Sequence, residues 1–166
     1  MTTTKIVTSG FCPKGWIPET RLLKCYKPFI RRVPYEIAAQ KCRTLNATLL
    51  TINSRNEDFA ILNMIVDGEP WFRRGGSLIL GPKYRVKGAS PERILVAPNG
   101  RRDDLYTNFA AGEPNNAGAS ESCVEVRMWQ YDQQPFSNYS GLWNDYDCGW
   151  ERSSFICELP LSAKQL

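Results

Sequence analysis

Two segments of the chain, residues 113–123 and 143–148, concentrate side chains whose oxygen atoms can bind a hard cation. They supply three carboxylates and two carboxamides: Glu113, Asn115, Glu121, Asn144 and Asp145. Oxygen atoms of this kind are the ligands that Ca²⁺ takes in proteins, about six to eight of them in total. A soft metal would instead favour thiolates or imidazoles, and the chain contains no histidine. The composition of the two segments therefore predicts a calcium site.

Pro114 separates the first two of these residues. An X-Pro bond adopts the cis form at low cost, and a cis Glu113–Pro114 bond would turn both flanking side chains towards one ion. Five side-chain ligands leave coordination positions open, and two adjacent sugar hydroxyls can fill them while donating their protons to carboxylate or amide oxygens. We therefore predict calcium-dependent carbohydrate binding. It should be weak at each site, because a shallow polar contact buries little apolar area.

The composition argues against other functional classes. Without histidine, the chain cannot form a Ser-His-Asp triad, a Cys-His pair or a histidine-ligated zinc site. Glu121 and Glu125 resemble the carboxylate pair of a glycosidase, but the sequence does not fix their separation, and we predict no enzymatic activity. The net charge of +4 is small and scattered, whereas a nucleic-acid-binding protein concentrates its basic residues on one face. We expect no nucleic-acid partner.

The six cysteines indicate an extracellular protein. None belongs to a CxxC pair, and an even number in a short chain is typical of three disulfides formed in an oxidising compartment. The residues alone leave the pairing open. Two sequons, which begin at Asn46 and Asn138, fit the same compartment. Residues 1–5 lack the apolar stretch of a signal peptide, so we expect either a mature secreted chain, which we favour, or a cytosolic protein with free thiols.

Two helices are predicted in the first half of the chain. Tyr35–Cys42 follows Pro34, which suits a first helical turn, and its expected inward face comprises Ile37, Ala38, Lys41, Cys42 and Leu45. Ser54 and Glu57 form the capping-box pattern that starts a second helix, which Gly68 ends. From this second helix we expect three inward-facing side chains: Phe59, Leu62 and Val66.

The second half is predicted to contain strands and loops. Turn residues crowd the sequence after Gly68, and between them lie four strand candidates: residues 77–80, 94–97, 123–129 and 153–158. Two helices followed by short strands predict an α+β fold. A length of 166 residues fits one domain over residues 11–160, with a flexible N-terminal segment at 1–10 and a C-terminal tail at 161–166. The longest apolar run is only a few residues, so we expect no membrane insertion.

From about Cys12 to Glu158, the chain resembles a C-type lectin domain of the long form, which has an extra N-terminal hairpin. The triplet Glu113-Pro114-Asn115 matches the family motif for mannose-type sugars, those with equatorial 3- and 4-hydroxyls, whereas galactose-type members carry Gln-Pro-Asp. The remaining ligands of the family's principal calcium site are matched by Glu121, Asn144 and Asp145. The resemblance implies two helices, small antiparallel sheets and a long loop region. It also implies three disulfides: Cys12–Cys25, Cys42–Cys157 and Cys123–Cys148.

The chain also departs from the family pattern. The central Trp-Ile-Gly-Leu strand is reduced to residues 78–81, and Phe109 stands where a Trp commonly precedes the Glu-Pro-Asn loop. The family's auxiliary calcium site takes acidic residues after that glycine, but residues 82–87 contain none. Ser122 stands where an Asp is usual. The resemblance with these departures implies one calcium ion.

Two segments are longer than the family pattern, residues 67–77 and 128–141. The second contains four aromatic residues: Trp129, Tyr131, Phe136 and Tyr139. They form either a sugar-stacking wall beside the site or the packing of the inserted loop, since aromatic rings serve both uses. Trp16 and Trp150 are predicted to be core residues.

In function, the resemblance implies calcium-dependent binding of mannose, fucose or N-acetylglucosamine directly at the ion. The implied partners are glycans or glycoproteins, microbial or on cell surfaces, and the implied protein is a secreted glycoprotein. The alternative is a protein- or ice-binding domain of the same fold in which calcium is only structural. The motif does not distinguish among the monosaccharides, and the oligomeric state stays open.

Overall fold

The computed structural model describes residues 11–68, 76–86, 92–127 and 141–162. This part of the chain forms two α-helices and eight β-strands, so the α+β class expected from the sequence is confirmed. In chain order the elements are β1 Ile17–Glu19, β2 Lys24–Val33, α1 Tyr35–Arg43, β3 Thr48–Leu49, α2 Arg55–Gly68, β4 Ser77–Val86, β5 Arg93–Val96, β6 Glu121–Arg127, β7 Trp143–Asp147 and β8 Arg152–Pro160.

The strands belong to one hydrogen-bonded sheet in the order β1-β2-β8-β4-β6-β7, with β3 attached to β8 and β5 attached to β4. Neighbouring strands run antiparallel except β4 and β8, which are parallel. Strand β8, near the C-terminus, therefore pairs both with β2 from the N-terminal part of the chain and with β4 from its middle. Strands β6 and β7 lie at one edge of the sheet and contribute three of the five predicted ligands.

The first helix begins where the sequence predicted, but only part of its expected face is buried. Ala38, Ala39 and Cys42 are buried, whereas Ile37, expected to face inward, is 48% exposed. Small side chains on the buried face let the helix lie close to strands β3 and β8. The expectation for Ile37 is wrong because the neighbouring alanines, rather than the larger residue, fit this close approach.

The second helix starts at its predicted cap. The Glu57 backbone N–H donates to Ser54 Oγ at 3.2 Å, while the Glu57 carboxylate accepts from the backbone N–H of Asn53 at 2.8 Å. Phe59, expected to face inward, is 66% exposed, and Ile61 occupies the core instead. A helix turns by about 100° per residue, so the buried Glu57 and Ile61 share a face that Phe59 does not. The side chain of Val66 lies outside the described part.

All four predicted strands are present with longer or shifted bounds, as β4, β5, β6 and β8. Strand β7 has no counterpart in the prediction. Its sequence, Trp143 to Asp147, carries polar ligand candidates at adjacent positions rather than the apolar-polar alternation that identifies a strand. The predicted extension of β6 beyond Arg127 lies outside the described residues.

The core packs around Trp143. Its fully buried indole contacts the rings of Tyr106 and Phe109 edge to face, with both centroid distances 5.7 Å. Trp16, one of the two tryptophans predicted to be core, is half-buried. It packs against a group of buried side chains that is separate from the cluster around Trp143. Trp150 is 60% exposed, so the core prediction is wrong there, because the residue lies in the short turn between β7 and β8.

The three disulfides implied by the resemblance are present: Cys12–Cys25, Cys42–Cys157 and Cys123–Cys148. The last of them joins β6 to the end of β7 and so closes the edge that carries the predicted ligands. The predicted N-terminal segment at 1–10 lies outside the described residues, as do residues 163–166 of the C-terminal tail predicted at 161–166. No helix in the described ranges is long and apolar enough to cross a lipid bilayer.

Candidate functional site

The loop that precedes β6 is anchored to the start of β7. The backbone N–H of Ala110 donates to the Trp143 carbonyl at 3.0 Å, and the Trp143 N–H donates to the Asn108 carbonyl at 2.8 Å. Because Trp143 is fully buried, this anchor is rigid. It fixes where the following residues, 111–120, cross the two strands that hold the other candidates.

Asp145 is the centre of the site. It lies on β7 opposite Val124 of β6 and is fully buried. Its carboxylate accepts from the backbone N–H of Asn115 at 3.0 Å and of Asn116 at 2.9 Å, one oxygen for each. These bonds join the Glu-Pro-Asn loop to the second segment, as the predicted convergence requires.

Glu121 holds the far side of the same loop. Its carboxylate accepts from the Ala117 N–H at 2.7 Å, and its own backbone N–H donates to Asn116 Oδ1 at 3.2 Å. The Asn115 side-chain oxygen also accepts from Ala117, at 2.8 Å. Asn116, which the sequence did not single out, adopts a left-handed conformation with φ 50°. Asparagine tolerates the left-handed region better than most residues, and this preference is the sequence signal by which Asn116 could have been recognised.

Glu113 is half-buried next to a like charge. The Glu113–Pro114 bond is cis, as predicted. Burial raises the pKa of the Glu113 carboxyl, and the nearby Asp145 carboxylate raises it too, while Arg127, 3.9 Å away, lowers it. One oxygen, Oε2, is buried and accepts no hydrogen bond from any described residue. A cation between the two carboxylates would offset their repulsion and give Glu113 Oε2 a partner.

Asn144 is adjacent to Asp145 and is also buried. Its side-chain N–H donates to Glu125 Oε1 at 3.0 Å, so the carbonyl oxygen is the atom that Asn144 can offer to a cation. Glu125 in turn forms an ion pair with Arg152. The comparison of Glu121 and Glu125 with a glycosidase pair therefore fails, because the buried Glu125 carboxylate is engaged by Arg152 and orients Asn144.

Two of the three candidate carboxylates already accept hydrogen bonds from N–H groups within the chain. Within the described ranges, no three acidic, histidine or cysteine side chains form a preassembled metal cluster. Asp145 and Glu121 accept hydrogen bonds from backbone N–H groups of the loop. The donor set is nonetheless all hard oxygen, and the unsatisfied Oε2 of Glu113 fits a Ca²⁺ ligand. The residues present fit a calcium ion.

Arg93 on β5 is a site residue that the sequence did not indicate. Its guanidinium donates to the backbone carbonyl of Glu121 and to Asp145 Oδ2, the latter at 3.1 Å. No motif identifies an arginine at this position, because its contacts with Glu121 and Asp145 span 28 and 52 residues of the chain. The predicted aromatic cluster, Trp129, Tyr131, Phe136 and Tyr139, lies outside the described residues.

Comparisons with known proteins show the family to which the chain is similar. Residues 31–159 match the family model described as the Lectin C-type domain. The chain is 34% identical over 150 residues to perlucin of Haliotis laevigata, covering 89% of this chain and 82% of that protein. It is 29% identical to the C-type lectin lectoxin-Lio3 of Erythrolamprus poecilogyrus, covering 89% and 80%.

Among solved structures, the carbohydrate-recognition domain of the mouse scavenger receptor C-type lectin superposes with a TM-score of 0.67. The two sequences are 28% identical, and the match covers 92% of this chain and 99% of that one.

Proposed function

Because the chain belongs to the C-type lectin domain family, which is a non-enzymatic binding fold, we propose that it binds carbohydrate in a calcium-dependent manner. The proposed ion ligands are Glu113, Asn115, Glu121, Asn144 and Asp145. One observation carries the proposal: Glu113, with its unsatisfied buried oxygen, lies beside Asp145 from a distant segment. Two neighbouring carboxylates repel each other, and a cation between them removes that repulsion.

Each residue has a separate role in this proposal. Glu113 and Asp145 neutralise the ion, and Asn144 contributes the carbonyl oxygen that its hydrogen bond to Glu125 orients. A bound calcium ion supplies open coordination positions that two adjacent sugar hydroxyls can fill. The carboxylate and amide oxygens of Glu113 and Asn115 then accept hydrogen bonds from those hydroxyls and so fix the orientation of the sugar.

The motif Glu113-Pro114-Asn115 supports a preference for mannose-type sugars, namely mannose, fucose or N-acetylglucosamine. Glycans or glycoproteins, microbial or on cell surfaces, are the proposed partners. One ion is proposed, since residues 82–87 carry no carboxylate for a second. Three disulfides and the exposed sequon residue Asn46 support a secreted, glycosylated protein.

The test is binding to a mannose-coated surface by the wild type, by Glu113→Gln and by a matched control, Glu151→Gln. Glu151 is exposed, and its ion-pair partner is Arg32 rather than any of the proposed ligands. We expect the wild type and the control to bind with calcium, to be released by a chelator, and to be competed by free mannose. Glu113→Gln should lose binding by tenfold or more, since a charged ligand is removed. Chelator-resistant binding, or equal binding by all three proteins, would contradict the proposal.

A second candidate function is a protein- or ice-binding domain in which calcium only orders the loop. The engagement of Asp145 and Glu121 by internal N–H donors favours it, because these bonds hold the loop in a closed arrangement. Calcium binding by calorimetry, without competition by any monosaccharide in the surface assay, would favour this second function.

A further inference from the structure

We propose that Arg93 is a positioning residue that keeps the calcium-ligand loop assembled when no calcium is bound. For the role of calcium, the inference rests on the proposed function. For the role of Arg93 itself, it rests on contacts within the chain. The positive charge of the Arg93 guanidinium would partly substitute for a divalent cation in holding the carboxylate-bearing segments together.

The contacts of Arg93 join both ligand segments. One guanidinium nitrogen, Nη2, donates to the backbone carbonyl of Glu121 at the start of β6 and to Asp145 Oδ2 on β7. The same Asp145 oxygen accepts from the backbone N–H of Asn116 in the loop. Arg93 therefore touches two of the five proposed ligand residues directly and reaches the loop through Asp145.

The position of the guanidinium is fixed by packing. It lies over the ring of Tyr84 on β4, 4.3 Å from the ring centroid, in a cation–π arrangement. The Tyr84 ring packs against Phe109, with centroids 6.3 Å apart, and Phe109 packs against the buried Trp143. Tyr84 belongs to the segment in which the family resemblance leads one to expect acidic ligands of an auxiliary ion. In this chain, the segment supplies a platform for a cationic side chain instead.

The charge balance explains why the arginine is needed. Asp145 has no exposed surface, and a buried carboxylate is costly unless it is paired and hydrogen-bonded. The Arg93 side chain is itself only 21% exposed, so water screens the pair weakly. Without Arg93, Asp145 would keep its two backbone donors but lose its ion pair, and the bonds to Asn115 and Asn116 would open more often.

The geometry also distinguishes arginine from lysine. A planar guanidinium can stack on an aromatic ring while donating to two acceptors, whereas an ammonium group is a compact point charge that stacks poorly. Arg93→Lys should therefore restore part of the function that Arg93→Gln removes. A purely steric role for the side chain would not separate these two variants.

The experiment is amide hydrogen exchange followed by NMR on the full chain, in chelator and again in saturating calcium. In chelator, the amides of Asn115 and Asn116 should exchange about tenfold faster in Arg93→Gln than in the wild type, since a charge-assisted hydrogen bond is lost. Arg93→Lys should fall between them. Arg102→Gln, a change at an exposed position, is the matched control and should behave as the wild type.

Amides of the β2–β8 ladder report whether a variant is folded, and they should remain slow in every protein. Calcium should return the two loop amides of Arg93→Gln towards wild-type rates. Equal exchange of Asn115 and Asn116 in Arg93→Gln and wild type, both in chelator, would overturn the inference. If calcium changes nothing but the difference in chelator remains, the proposed function fails while the role of Arg93 stands.

Discussion

Lys24 lies between two carboxylates that are almost completely buried, those of Glu57 and Glu158. Its ammonium group is 2.6 Å from Glu57 and 2.8 Å from Glu158, and Glu57 also accepts from the Tyr26 hydroxyl at 2.8 Å. The three polar side chains thus satisfy one another beneath the surface. Neither carboxylate has enough solvent contact to be stabilised by water alone.

Replacement of Lys24 should be strongly destabilising. Lys24→Met leaves two buried like charges without their shared partner, and we expect a loss of about 3–5 kcal/mol in the free energy of unfolding. Urea denaturation at neutral pH with the disulfides intact measures the change. Lys14→Met, a substitution at an exposed position, is the control and should stay within about 0.5 kcal/mol of the wild type. A loss below 1 kcal/mol for Lys24→Met would show that the cluster is more hydrated than its burial implies.

At the proposed sugar site, two residues of the Glu-Pro-Asn motif should determine which sugar is preferred. The double substitution Glu113→Gln, Asn115→Asp keeps the number of carboxylates constant but converts the motif to the galactose-type pattern. We expect calcium affinity to change little and the preference among free competitors to move from mannose to galactose. Competition by the two sugars on a glycan-coated surface measures this shift. An unchanged preference would mean that the sugar does not contact these two residues.

The five proposed ligand residues stand out in the sequence because their chemistry is local to two short segments, but the contacts of Arg93 and Glu125 could not be predicted. Arg93 reaches the site only through contacts with Glu121 and Asp145, 28 and 52 residues away, and Glu125 orients Asn144 only through the register of β6 and β7. Such contacts depend on long-range pairing, which one sequence does not specify. Phe59 and Ile37 were misplaced for a related reason, since helical periodicity defines a face but not which face is buried.

At the scale of elements, the Lys24 cluster joins β2, β8 and α2, and its protonation should alter how firmly they hold together. Burial raises the pKa of Glu158 to about 7, with Lys24 opposing the shift. Glu57 behaves oppositely: burial alone would raise its pKa, but hydrogen bonds and attraction from Lys24 lower it overall. The two carboxyl groups therefore affect stability in different pH windows.

The sign follows from linkage. Between about pH 4.5 and 7, Glu158 is ionised in the unfolded chain but protonated in the folded one, so its contribution to stability falls as pH rises through this range. The contribution of Glu57 is present above pH 4.5 and is lost only in more acidic solution. The interval from pH 5 to pH 8 thus isolates Glu158.

We expect the wild type to lose roughly 2–3 kcal/mol more stability than Glu158→Gln between about pH 5 and 8. Urea denaturation of both proteins in chelator measures the difference, and chelator removes any contribution from metal binding. The other titrating groups are common to both proteins and cancel. Parallel pH profiles would contradict a raised pKa for Glu158.

Elements were predictable where local signals are strong. The cap at Ser54 marks the start of α2, and Pro34 marks the start of α1. Strand β7 was missed because its adjacent polar residues, which include two proposed ligands, hide the alternation of a strand. In β7, the local residue pattern therefore does not predict the strand that the structure contains.

At the scale of the whole molecule, the disulfides divide the chain into loops of very different length. Cys42–Cys157 closes a separation of 115 residues, whereas Cys12–Cys25 closes one of 13. In the chain-entropy model, the longer loop contributes about 4–5 kcal/mol and the shorter about 3 kcal/mol. Removing the long bridge should consequently destabilise the domain more.

The matched pair of variants is Cys42→Ala with Cys157→Ala, and Cys12→Ala with Cys25→Ala. We expect the first pair to lose about 2 kcal/mol more than the second in denaturant unfolding, if the entropy of the unfolded chain dominates. The reverse order would mean that native contacts of the first hairpin outweigh loop length. The pairing itself was predictable only through the family resemblance, since six cysteines alone permit many arrangements.

The central claim is that two distant segments converge on one calcium ion that binds a sugar directly. A crystal structure grown with calcium and methyl α-mannoside tests it most directly. The account predicts one ion in contact with oxygen atoms of Glu113, Asn115, Glu121, Asn144 and Asp145, and with two adjacent hydroxyls of the sugar. A pocket without an ion at saturating calcium, or a sugar bound away from the ion, would contradict it.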